Sequence, residues 1–161
     1  MNILVLCTGN SARSILLESI LNRDSAGRIT AYSAGSTPSG KVHPQSLVLL
    51  ADKGYSTTGL SSQSWDVYAL PDAPNLDVVI TVCDSAASET CPLWPQTGDH
   101  PPVQVHWGIP DPAAAVEADW EDAFESAYSS LSRKAAALLA LPFETMDRNT
   151  LKSALSDMAT L

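Results

Sequence analysis

The stretch MNILVLCTGNSARS, Met1 to Ser14, decides how this chain folds. Asn2 to Leu6 is a branched, apolar run of strand length that stops at Cys7. After five more residues come Arg13 and Ser14, so a Cys-x5-Arg-Ser loop joins a buried strand to a helix predicted over Arg13 to Arg23. The amides of Thr8, Gly9, Asn10, Ser11, Ala12 and Arg13 then fall at a helix N-terminus, where unpaired N–H groups and the helix dipole favour an anion. Gly9 and Asn10 tolerate left-handed backbone and let the loop turn its amides inward. Arg13 adds a planar fork that matches two oxygens of a tetrahedral oxyanion. The same field is expected to lower the Cys7 pKa and hold a nucleophilic thiolate, with the Ser14 hydroxyl as a donor to it. A lone cysteine at a strand end is ordinarily a small buried hydrophobe. Gly9, Asn10, Arg13 and Ser14 at these offsets turn the reading towards a nucleophile in an oxyanion cradle.

Outward from this loop, strands and helices alternate. Ile15, Leu16, Ser19, Ile20 and Leu21 give the first helix its apolar stripe. Ile29 to Ser33 reads as a second strand closed by Ala34 and Gly35, and Pro44 opens a helix that Gly54 stops, with His43 as its entry residue. Ser61 to Leu70 is predicted as a short helix. Asp77 to Val82 is a nearly continuous β-branched run, as expected of a strand buried on both faces, and it ends at Cys83. Asp84 to Thr90 carries little apolar surface to pin it and is expected to move. Val103 to His106 is a fourth strand, leading to Asp111 between two prolines that stiffen its loop. Trp120, Phe124, Tyr128, Leu131, Ala135 and Leu138 mark a long amphipathic helix from Asp119 to Ala140. Residues 1–141 thus read as one α/β domain, a three-layer α/β/α sandwich on a mainly parallel sheet of about four strands. The remaining 142–161 form an extension with helical spacing at Leu151, Leu155 and Met158. Ligands in open α/β sheets sit beyond the carboxyl ends of the strands, so Cys7 and Cys83 project towards one edge.

At 161 residues the chain suits one domain with a full core. Its net charge of −9, with no Lys/Arg cluster, excludes the phosphate-neutralising patch that nucleic acids or anionic membranes require. No apolar run has the length of a membrane span, and the N-terminal one lacks the basic start of a signal peptide. The expected compartment is the cytoplasm, where Cys7, Cys83 and Cys91 are reduced at rest.

The segment CTGNSARS resembles the active-site loop of the low-molecular-weight protein tyrosine phosphatase superfamily, whose members are phosphatases and arsenate reductases. The resemblance implies Cys7 as nucleophile, the Thr8 to Arg13 amides with the Arg13 side chain as cradle, and Asp111, in His-Trp-Gly-Ile-Pro-Asp-Pro, as general acid. From local sequence alone Asp111 also reads as a turn or N-cap residue.

The segments from Thr81 to Pro95 and from His106 to Pro112 resemble those of the arsenate reductases. In place of the tyrosine pair that follows Asp-Pro in the phosphatases stand Ala113 and Ala114. On that branch Cys7 attacks arsenate, Cys83 attacks Cys7 to release arsenite, and Cys91 attacks Cys83 to leave a disulfide for an external reductant. The cysteine spacing is one residue wider than in thioredoxin-coupled members, and Ala12 stands where those often have cysteine. Glutathione with glutaredoxin, or mycothiol, is the other expected donor besides thioredoxin. The alternatives are a phosphotyrosine or phosphoester phosphatase, which needs only Cys7, Arg13 and Asp111, and a non-catalytic oxyanion-binding module. The resemblance also raises a potassium site of Asn10, Glu18, Ser33 and Asp66, against ordinary polar contacts among them. No bound cofactor and no other metal are expected, since Cys83, Cys91, His100 and His106 are spaced too widely for a usual zinc knuckle.

Overall fold

The computed structural model describes residues 1–88 and 100–161. Four parallel strands, β1 (Asn2–Leu6), β2 (Thr30–Ala34), β3 (Val78–Thr81) and β4 (Val103–His106), form one sheet in the order β2-β1-β3-β4. Its helices are α1 (Arg13–Asp24), α2 (Pro44–Asp52), α3 (Asp84–Ser88), α4 (Trp120–Leu139) and α5 (Arg148–Asp157). This is the expected α/β sandwich. β2 starts one residue later than predicted. The predicted helix from Ser61 to Leu70 shrinks to a 3-10 turn at Trp65–Ala69, started by Ser64, whose hydroxyl accepts from the Asp66 amide.

Side-chain alternation along the central strands explains the layers. Ile3 and Val5 of β1, with Val78 and Ile80 of β3, face a core closed by Ile15, Leu16 and Ile20 of α1 and Phe124, Leu131 and Leu138 of α4. Leu4, Leu6 and Val79 face the other way, against Tyr68 and Leu76. Among the described residues that second face is covered by the 3-10 turn and its flanking loop. Leu151, Leu155 and Met158 belong to the first core, so α5 packs onto the domain.

Because every strand runs in one direction, all four carboxyl ends open on one edge. Cys7 follows β1, Gly35 follows β2, and Cys83 follows β3 after one residue. The loop Trp107 to Asp111 leaves β4. The site is the sum of these four strand ends.

Candidate active site

The loop from Cys7 to Arg13 is built by tying its carbonyls outward. Thr8, Gly9 and Ser11 oxygens accept from the amides of Thr37, Ser39 and His43 at 3.0, 3.0 and 2.9 Å. The hydroxyls of Ser62 and Ser46 add bonds to the Gly9 and Ser11 oxygens at 3.2 and 3.0 Å. With the carbonyls held outside, the amides of Gly9 to Arg13 find no acceptor among the described residues. Helix α1 begins at Arg13 with Ala12 as an N-cap that offers no side-chain acceptor, and its first turn carries no acid. An uncapped helix start with a ring of free amides is an anion site in waiting.

Asn10 makes the turn. It is the one loop residue in left-handed backbone, with φ 43°, and it is fully buried. Its side-chain amide donates to the Ser14 and Ser33 hydroxyls, both at 2.9 Å, and its oxygen accepts from the Gln63 amide at 2.8 Å. The left-handed role expected of Gly9 is therefore confined to Asn10, whose local hydrogen bonds stabilise that conformation. The Ser14 hydroxyl takes the bond from Asn10 and braces the loop. Ser33 passes the chain on by donating to Glu18 at 2.6 Å, while Asp66 accepts from the Ser64 hydroxyl at 3.1 Å. Of the four residues grouped as a potassium site, Asn10, Ser33 and Glu18 are linked directly and Asp66 is bonded elsewhere. Burial raises the Glu18 pKa, against the lowering effect of the Ser33 bond.

Gly35 was legible only as a turn. A Cβ there would stand 2.4 Å from the Thr8 oxygen and 2.8 Å from the Cys7 oxygen. Gly35→Ala is expected to lose about 3 kcal/mol of stability, because loop backbone rather than a flexible side-chain end must yield. Urea unfolding checks this, and a change under about 0.5 kcal/mol would contradict the close approach.

Arg13 crosses the mouth of the cradle. One terminal nitrogen donates to the Ile109 oxygen at 3.1 Å and the other pairs with Asp111 at 2.9 Å. Its Nε is buried with no partner among the described residues, a donor left open toward a ligand. Asp111 also accepts from the Ala113 amide at 3.1 Å, so it is an N-cap residue and an active-site carboxylate at once. His43 caps α2, as expected of an entry residue, with Nδ1 accepting from the Gln45 amide. Burial lowers its pKa despite the neighbouring Asp111 charge, which suits an uncharged ring packed against Trp120 and Phe124.

Cys7 and Cys83 are both free and buried. The Cys83 sulfur accepts from the Thr8 amide at 3.3 Å and the Ala86 amide at 3.4 Å, with the Thr8 hydroxyl at 3.5 Å. Cys7 donates to it as well, and this bond leads the causes that push the Cys83 pKa down to about 5, against the cost of burial. The same bond, together with burial, pushes the Cys7 thiol above its ordinary range, and Arg13 only partly counters this. In the unliganded site several donors thus converge on Cys83, while Asp111 offsets the Arg13 charge near Cys7. His106 bonds to Thr81 and to Asp84, at 2.9 and 3.0 Å. Cys91 lies outside the described residues.

The arrangement brings together two cysteine sulfurs, a loop of free amides, a guanidinium and a carboxylate. Residues 2–152 match the model of the low molecular weight phosphotyrosine protein phosphatase family. The chain is 34% identical to the arsenate reductase of Halalkalibacterium halodurans over 72% of its own length and 77% of the relative. It is likewise 34% identical to the arsenate reductase of Bacillus subtilis, over 68% and 73%. The crystal structure of arsenate reductase from Archaeoglobus fulgidus superimposes with a TM-score of 0.59 at 25% identity, covering 83% of this chain and 98% of that one.

Proposed function

Because the chain belongs to the low molecular weight phosphotyrosine protein phosphatase family, we propose that it is the reductase variant of that fold and converts arsenate to arsenite. The observation that carries this reading is the second cysteine, Cys83, held against Thr8 at the rim of the cradle. Hydrolysis of a phosphoester requires one cysteine, whereas reduction requires two electrons, which a thiol pair provides.

The chemistry follows from the positions. Arsenate takes the loop amides and the Arg13 fork, displacing Asp111 from the guanidinium. The Cys7 sulfur attacks arsenic and forms a sulfur–arsenic bond, while one oxygen departs as water with a proton that Asp111, released from Arg13, takes from solvent in exchange for the one Cys83 gives up on ionising. The Cys7 proton passes along its hydrogen bond to Cys83 and on to an arsenic-bound oxygen. The Cys83 thiolate then attacks the Cys7 sulfur. The sulfur–arsenic bond breaks with both electrons going to arsenic, so As(V) becomes As(III) and Cys7–Cys83 becomes a disulfide. Two thiols and arsenate yield one disulfide, arsenite and water. In this reading Cys91 next attacks Cys83 and presents a disulfide to thioredoxin, to glutathione with glutaredoxin, or to mycothiol. No described helix is long and apolar enough to cross a membrane.

The test is arsenate-dependent NADPH oxidation by the fully reduced protein, with thioredoxin and thioredoxin reductase, glutaredoxin with glutathione, or a mycothiol system as donor. Turnover with at least one donor is expected, and Cys83→Ser is expected to lower it at least about 10³-fold while Cys7 still reacts with iodoacetamide. A Cys83→Ser protein with unchanged turnover would exclude the relay. Phosphoester hydrolysis without arsenite release from any donor would return the chain to the phosphatase branch.

A further inference from the structure

The loop that carries Asp111 is fastened to the C-terminal helix by a bond that takes no part in the reaction above. Trp107, the first residue after β4, is fully buried, and its indole N–H donates to the Leu155 oxygen at 2.8 Å. Leu155 is in the last turn of α5. The carbonyls that follow, of Met158, Ala159 and Leu161, are taken by the buried Lys134 Nζ at 2.9, 2.7 and 3.1 Å. Side chains from the Asp111 loop and from α4 therefore both help to finish this helix, beside the Thr160 hydroxyl on the Asp157 oxygen. The family match ends at residue 152, so each of these acceptors lies beyond it.

From Trp107 the loop has little freedom. The Trp107 amide bonds to the Thr81 oxygen at 2.8 Å and the Ile109 amide to the Val82 oxygen at 3.3 Å, continuing the ladder of β4 on β3. The Ile109 oxygen and the Asp111 carboxylate then take the two terminal nitrogens of Arg13. Pro110 and Pro112 restrict the backbone on either side of Asp111. A displacement of the indole is thus passed to both partners of the guanidinium.

We propose that Trp107 is a positioning residue of the active site and that α5 is its anchor, the indole–Leu155 bond setting where Ile109 and Asp111 meet Arg13. This rests on the reading of Asp111 as the acid, and it adds that residues beyond the family match tune that acid. A buried indole also needs an acceptor for stability alone, so the test must separate positioning from mere support.

A double-mutant cycle does so, with kcat at saturating arsenate measured in the full-length chain for W107F, D111N and W107F/D111N, each checked for folding by circular dichroism. W107F keeps the ring and removes the N–H. It is expected to lower kcat about tenfold in the wild-type background, with KM for arsenate within about twofold, and to lower it less than about twofold in the D111N background. Equal factors in both backgrounds, or no loss of kcat, would overturn the proposal. If D111N itself retains the wild-type rate, the reading of Asp111 as acid fails first and the proposal falls with it. Should W107F not fold, Lys134→Met takes its place in the cycle, because it frees the same helix end from the opposite side, and the same two outcomes decide.

Discussion

Cys7→Ser is expected to leave no measurable arsenate reduction with any thiol donor, a fall of at least about 10⁴-fold. The replaced atom does two things that oxygen cannot do at neutral pH: it attacks as a soft nucleophile, and it gives up electrons as it joins a second sulfur. Binding of the oxyanion should survive. The cradle consists of amides whose carbonyls are anchored outward, together with the Arg13 fork, and none of these parts is the Cys7 sulfur. Affinity for inorganic phosphate, measured by calorimetry, is therefore expected to stay within about threefold of the parent, since the donor set is unchanged. Measurable turnover in the serine variant would remove Cys7 from the centre of the reaction. Lost phosphate binding with lost turnover would mean instead that the sulfur shapes the loop.

Arg13→Lys is the second large loss, about 10³-fold in kcat/KM. Lysine keeps the charge but offers a single point donor where the oxyanion meets a flat fork. Here the fork also holds the resting site together, with one nitrogen on Ile109 and another on Asp111, and Nε kept in reserve. A lysine cannot hold the strand-end loop and the ligand at once. Because the arginine contacts are expected to strengthen as charge builds on the transferring centre, the deficit should fall mainly on kcat. A deficit under tenfold would show that the amides alone carry the oxyanion.

Much of this site was legible from residue order. Cys7 and Arg13 could be named from the Cys-x5-Arg-Ser spacing after a visible strand, and Asp111 through the resemblance of its loop to the phosphatase superfamily, since its local sequence reads equally as an N-cap. Cys83 was readable because it follows a strand whose apolar run is visible. Other parts were hidden because they depend on contacts between distant segments. Gly35 resembles any turn glycine until the Thr8 and Cys7 carbonyls are seen against it. The surroundings of the two sulfurs were hidden as well: the field of Arg13 can be read from the sequence, but its partial cancellation by Asp111 and the convergence of Thr8 and Ala86 on Cys83 cannot. The short helix at Ser61 to Leu70 contracted to a 3-10 turn at Trp65–Ala69 because the residues before it serve the loop, Ser62 on Gly9 and Gln63 on Asn10, and are not free to coil.

The pairing of β1 with β3 has a kinetic meaning. Leu6 lies opposite Thr81, and the Val82 amide bonds to the Leu6 oxygen at 2.9 Å, so the two cysteines leave neighbouring strands almost level. Their proximity is inherited from adjacent strands, which in a sheet run about 4.8 Å apart, and needs no binding event to create it. On the proposed route, Cys83 therefore meets the arsenylated Cys7 at the effective concentration of a tethered reactant, which for well-oriented pairs reaches about 10⁵ M or more. A millimolar thiol from solution enters that competition far behind. Substituting one cellular donor for another should change how fast the enzyme is recharged, while the rate at which arsenite is first expelled stays the same.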